Sequence, residues 1–175
     1  MSLPHALLTA LAESPGSGSD LAGRFDRSIG HFWHATHQQI YRELARMESE
    51  GWIESLPEET TRGRKRAYRL LPAGRKELRR WTALAEKSAP LRDALMVRLR
   101  ADAAVGPVGL AKDIGRRLKQ HQDMLAHYQA IERRDFPGAA EDRATALRHL
   151  VLEAGIGYER YWIDLLLKAQ TIVDR

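Results

Sequence analysis

His31–Leu78, HFWHATHQQIYRELARMESEGWIESLPEETTRGRKRAYRLLPAGRKEL, decides how the rest of the chain is read. Ile40, Leu44 and Met47 recur at the 4-then-3 spacing that turns one face of a helix toward a core. The opposite face then carries Gln38, Arg42 and Ser49, flanked by Gln39 and Arg46. An isolated amphipathic helix ordinarily presents such a face to solvent. Glutamine and arginine can also pair bidentately with adenine and guanine edges in a groove that admits a helix. The residues beyond the helix favour the second use. Gly51 ends it, Trp52, Ile53 and Leu56 and then Tyr68, Leu70 and Leu71 read as the two strands of a hairpin, and Pro72 opens the next helix. The hairpin's tip and returning strand hold Arg62, Arg64, Lys65, Arg66 and Arg69 around Gly63. Basic residues on an edge strand commonly guard it against aggregation. Behind a glutamine-bearing helix they suit phosphate, because they release counterions from a nucleic-acid backbone without reading its sequence.

Upstream, Leu3, Leu7, Leu8 and Leu11 predict a short helix stopped by Ser14-Pro15-Gly16. Ser17 and Asp20 have capping-box spacing and open a second helix through Leu21, Ala22 and Phe25 to a break near Gly30. Three short helices and a hairpin within about 80 residues are the parts of a winged helix-turn-helix.

The segments SGSDLAGRF, FWHATHQQIYRELARMESEGWIE and YRLLPAGRKEL together resemble the PadR family of bacterial transcriptional regulators. LRDALMVRLR, Leu91 to Arg100, resembles the family's joint between its two parts. LEAGIGYERYWIDLL, Leu152 to Leu166, resembles the last helix of the subfamily with the longer C-terminal domain. Leu71-Pro72 departs from the threonine that often caps the helix after the wing; proline suits a first helical turn, so the helix still starts there with a weaker cap. The resemblance implies a repressor that a small molecule, phenolic acids in the family's namesake, releases by binding between the two domains; a two-fold dimer would place paired recognition helices on a palindromic operator.

The 175 residues, 43% of them apolar, suffice for one sizeable domain or two small ones. A formal charge of +5 suits a polyanion partner, but 23 acidic residues stand against 28 basic ones, so location matters more than the sum. With no cysteine, disulfides, thiolate metal sites and cysteine nucleophiles are excluded. Neither a signal pattern nor a membrane-length apolar run is seen, which leaves a cytoplasmic protein as the expectation.

Beyond Trp81 the character changes. Ile114, Leu118, His121, Leu125 and Tyr128 step like a heptad seam, predicting one long helix between Gly109 and Arg134. After the break at Phe136-Pro137-Gly138 a last helix continues the rhythm at Leu147, Val151, Ala154, Tyr158, Tyr161, Leu165 and Ile172. Its additional apolar residues exceed what one neighbouring helix can cover, which asks for a second subunit. Gly155 and Gly157 imply that a backbone or a ring approaches closely.

The expected architecture is mainly α with a small β-hairpin. An N-terminal winged helix-turn-helix, residues 1–82, precedes a C-terminal α-helical dimerisation domain, residues 83–175, with a connector over about 83–106. Base contacts are expected from Thr36, His37, Gln38, Gln39, Tyr41 and Arg42, and phosphate contacts from Arg62, Arg64, Lys65 and Arg66 of the wing. The dimer interface is expected at Leu118, Leu125, Tyr128, Tyr158, Trp162 and Leu165, and an aromatic effector at Trp33, Tyr161 and Trp162. The aromatic residues serve equally well as core. No nucleophile motif, phosphate loop, HExxH pair or dinucleotide fingerprint is present, so neither catalysis nor a cofactor is expected. Two other readings stay open. His31, His34 and His37 recur every third residue and could hold zinc or nickel, without a carboxylate or thiolate to complete the set. A winged module that binds protein rather than DNA has the same fold.

Overall fold

The computed structural model describes residues 3–27, 35–56, 66–85, 92–138 and 142–174. They form two units, Met1–Ser88 and Ala89–Arg175.

In the first unit, α1 (Leu3–Glu13) supplies Leu7, Leu8 and Leu11 to a core completed by Leu21, Ile40, Leu44, Met47, Ile53 and Tyr68. Helix α2 (Gly18–Arg27) opens on the expected capping box: the Asp20 amide donates to Ser17 Oγ at 3.1 Å, and the Ser17 amide donates to Asp20 Oδ2 at 3.0 Å. Arg24 ties it back to α1 by donating to the carbonyls of Ala10, Ser14 and Pro15. Helix α3 (His37–Ser49) is followed by β2 (Ile53–Ser55), β3 (Ala67–Leu70) and α4 (Pro72–Thr82). The sheet has a third strand that the sequence reading missed: β1 (Gly16–Ser17) pairs antiparallel with β3, giving the order β1-β3-β2. Helix α4 starts on Leu71 without a side-chain cap and with Pro72 in its first turn, as expected. His5 clips α1 to α4: its Nε2 lies 3.0 Å from Glu77 Oε1, and its ring stacks on Trp81. Hydrogen bonds from Arg80 and then His5 hold the Glu77 carboxyl down at about 2.

In the second unit, α5 (Ala94–Val105), capped by Asp93, leads to α6 (Ala111–Asp135) and α7 (Arg143–Val173), which pack lengthwise. The seam along α6 is as read: Ile114 and Tyr128 are buried, and Leu118, His121 and Leu125 half-buried. The seam along α7 is not. Leu147, Val151, Ala154, Tyr158, Tyr161 and Ile172 are exposed, and the buried line runs through Ile156, Glu159, Trp162, Leu166 and Ala169 instead. Except at Leu165, which packs partly against the inner core, the rhythm that looked like the inner face is the outer one. It was the more apolar of the two, because the inner line contains an acid. Glu159, 6% exposed, is bonded to His121 Nδ1 of α6, whose ring stacks on Trp162. A second pair, His149 and Glu132, joins the same helices near the hairpin end. Gly155 answers to the expectation of a close ring, since a Cβ there would meet Tyr128 at 3.2 Å; Gly157 meets nothing within 4 Å.

Candidate nucleic-acid interface

Helix α3 is fixed at both ends. Thr36 caps it through a reciprocal box: the Gln39 amide donates to Thr36 Oγ1 at 3.2 Å, and the Thr36 amide donates to Gln39 Oε1 at 2.8 Å. At the other end Gly51 adopts φ +70°, its amide bonding to the Glu48 carbonyl and the next amide, of Trp52, to that of Met47. This is a Schellman closure, and the left-handed residue it requires is glycine. Between the two caps Ile40, Leu44 and Met47 are each at most 1% exposed. Rotation of the helix is therefore set, and so is the identity of the outward side chains.

Those outward residues divide by what they already hold. The side chains of His37, Gln38 and Arg42 are exposed and have no hydrogen-bond or ion-pair partner among the described residues. Thr36 and Gln39 were expected to read bases, but the hydroxyl of one and the amide oxygen of the other are engaged in the cap. Arg46, expected beside the reading face, is committed to Glu43 and Glu50 and lies over the Trp52 ring at 5.4 Å. These carboxylates, Glu43 first, raise its already high pKa. Tyr41 is 49% exposed, yet its ring lies over Gly18 of α2, where an added Cβ would stand 2.3 Å from Cε1.

The root of the wing is tied to the same helix. Glu48 accepts from the Ser55 amide at 2.9 Å and pairs with Arg66 at 3.3 Å; the Ser55 bonds lead in holding its carboxyl below the usual range. Arg66 also donates to Ser55 Oγ at 3.0 Å and lies over Tyr68, so this expected phosphate contact is already occupied in part by the protein. Arg69 pairs with Glu54 across the β2–β3 ladder. Arg62, Arg64 and Lys65 lie outside the described residues, as do Trp33, His31 and His34. No group of three or more metal-ligating side chains occurs among the described residues.

In the second unit, Tyr128 and Trp162 were expected at a dimer interface but are 5% exposed within their own chain. Leu118 and Leu165 pack partly against the core of Leu95, Leu110, Ile114 and Leu166, and Leu125 is half-buried. Of the six residues named for that interface, only Tyr158 stands well out, at 56%. Of the expected effector residues, Tyr161 is 59% exposed and meets the buried Trp162 edge-on, with centroids 5.9 Å apart.

Sequence reasoning missed Gly18 and Glu48. Glu48 had no recognisable signal, since its partners Ser55 and Arg66 come from two different strands or their flanks. Gly18 sat in a Ser-Gly-Ser triplet that reads simply as a helix start.

The outward polar face on a doubly capped helix and the β2–β3 pair that follows it lie within the segment that the family comparison matches. Residues 7–80 fit the model described as Transcriptional regulator PadR-like family, and residues 91–174 fit Virulence activator alpha C-term. The Probable transcriptional regulator Rv1176c of Mycobacterium tuberculosis is 38% identical, over 95% of this chain and 94% of that one. The chain belongs to the PadR-like family of transcriptional regulators. A second relative, the Negative transcriptional regulator PadR of Bacillus subtilis, is 36% identical over 80 residues, 45% of this chain and 44% of its own. Its structure in complex with operator DNA superposes with a TM-score of 0.81 at 22% identity, over 98% of each chain, and it has also been solved with p-coumaric acid. The Vibrio cholerae virulence activator AphA superposes with a TM-score of 0.82 at 28% identity, over 99% of this chain and 98% of its own. No helix among the described residues is long and apolar enough to cross a membrane.

Proposed function

We propose that this PadR-like regulator binds double-stranded DNA sequence-specifically through α3 and the wing, acts as a homodimeric repressor on a palindromic operator, and is released by a small aromatic effector. It regulates rather than catalyses, and it works in the cytoplasm. The observation that carries the reading is the trio His37, Gln38 and Arg42, without partners among the described residues, on a helix whose other face is locked into the core. Gln38 and Arg42 are spaced one turn apart, and each can form a bidentate pair with a base edge. Support for the homodimer comes from the outer face of α7, where Leu147, Leu150, Val151, Tyr158 and Tyr161 are each at least 46% exposed. A contiguous face of that kind marks an interaction surface, and a two-fold partner would place two reading helices on the halves of a palindrome. Support for repression and for an aromatic effector is by likeness to the B. subtilis protein, named a negative regulator and solved with p-coumaric acid.

Selection of random duplexes with the full chain, followed by footprinting, tests the reading. The expected product is one palindromic site whose affinity falls steeply with salt. Gln38→Ala and Arg42→Ala should each weaken that site by about 1–3 kcal/mol while leaving scrambled DNA nearly unaffected. Recovery of no preferred sequence, together with a flat salt response, would instead leave a winged protein-binding module.

A further inference from the structure

Tyr41 occupies a reading-helix position, but Gly18 takes up its ring. A Cβ at Gly18 would stand 2.3 Å from Cε1 and 3.0 Å from Cδ1 and Cζ of that ring, and these are the three nearest atoms it would meet. Gly18 is not among the glycines with positive φ, so its backbone is one that any residue adopts. What requires glycine here is the ring. Gly18 is buried and begins α2, directly after the cap residue Ser17, so α2 cannot shift to relieve a clash without giving up the bonds between Ser17 and Asp20. The ring must move instead. A helical tyrosine has two usual χ1 positions. Gln38, three residues before Tyr41, is its neighbour on the surface of α3, so a ring displaced from Gly18 competes for the space of the reading face.

We propose that Gly18 is a specificity-determining positioning residue: it provides the seat for the Tyr41 ring, and the seated ring keeps the reading face of α3 clear and sets the approach of α2. Tyr41 then positions the motif and does not itself read bases. This inference rests on α3 being the reading helix, so the test includes a control for that.

Full-length Gly18→Ala, Tyr41→Ala, the double variant and Arg42→Ala are titrated with the selected operator and with a scrambled duplex at several salt concentrations. Gly18→Ala should lose at least about tenfold in operator affinity, about 1.4 kcal/mol, with scrambled binding and salt slope unchanged. Tyr41→Ala should keep the wild-type base preference, and the double variant should bind like Tyr41→Ala, because removal of the ring removes the conflict. Wild-type operator affinity in Gly18→Ala, a double variant as weak as Gly18→Ala, or an altered base preference in Tyr41→Ala would each overturn the proposal. Should Gly18→Ala fail to fold, a folded and binding double variant supports the seat, and an unfolded one overturns it. If Arg42→Ala retains full discrimination, the reading of α3 falls and the seat falls with it; if Arg42→Ala loses discrimination while Gly18→Ala does not, only the seat falls.

Discussion

Gly74→Ala sets two effects of known sign against each other. Gly74 is the third residue of α4, and in an ordinary helix the change to alanine stabilises by up to about 1 kcal/mol. Here the new Cβ would stand 2.3 Å from the Trp52 carbonyl oxygen, 3.0 Å from the Trp52 carbonyl carbon and 2.8 Å from Leu70 Cδ1. A side chain could turn aside, but the Trp52 carbonyl is backbone and already accepts the Leu71 amide at 2.9 Å. Overpacking of a well-filled site costs roughly 1–3 kcal/mol, and a backbone obstacle places this case at the upper end. The net expectation is a loss of about 2 kcal/mol. For a unit of 88 residues, Met1–Ser88, each kcal/mol moves the midpoint by about 4–8 °C, so the first unit should melt about 8–16 °C lower. Calorimetry with near-ultraviolet circular dichroism measures this. Gly115→Ala is the control, because nothing lies within 4 Å of its added Cβ and propensity acts alone. A Gly74→Ala protein as stable as wild type, or more so, would refute the reasoning.

Acid should weaken the α1–α4 clip. Glu77 titrates at about 2 against an ordinary 4.5, so its contribution is complete above pH 4.5 and is lost as pH falls from there toward 2; Glu77→Gln should flatten the pH dependence of stability over that window in equilibrium unfolding. Burial first, then the charge of Glu159, pushes the Tyr128 hydroxyl up to about 12 from 10.0. Neutral Tyr128 therefore stabilises the fold below pH 10, that contribution is lost as pH rises toward 12, and Tyr128→Phe should show a smaller loss of stability over that range. Leu150 is 58% exposed on the outer face of α7, so Leu150→Glu should leave helicity intact and convert the proposed homodimer to monomer in light scattering at micromolar concentration; an unchanged dimer would move the interface elsewhere.

Residues whose packing is local were the ones legible in the sequence. The core face of α3, the cap of α2 and the glycine closing α3 all follow from neighbours within a few positions, and the structure has each of them. Thr36 and Gln39 were legible too, being at capping-box spacing, but their polar side chains were read as aimed outward. β1 could not be found, because two residues become a strand only by pairing with Tyr68 and Ala67, some fifty positions on. The α7 seam misled for a different reason. Hydrophobic periodicity reports which face avoids water, and α7 has two such faces; the inner one carries Glu159 and Gly155, which read as polar and as helix-weakening until His121 and Tyr128 are placed opposite them.

That buried acid acts as an address. Apolar side chains of similar size leave two long helices free to slip along one another, since a Leu facing an Ile is nearly as content one turn away. A slip of one turn, about 5.4 Å, would carry the Glu159 carboxylate past His121 and leave it inside the seam without its donor. Leaving a buried polar group unmade costs about 1–3 kcal/mol, and more when it is charged. His121 and Glu159 thus specify alignment more than strength. The reciprocal pair of His149 and Glu132 joins the same helices near the turn of the hairpin, but with both side chains part-exposed its loss costs less, so the register is set chiefly at His121 and Glu159.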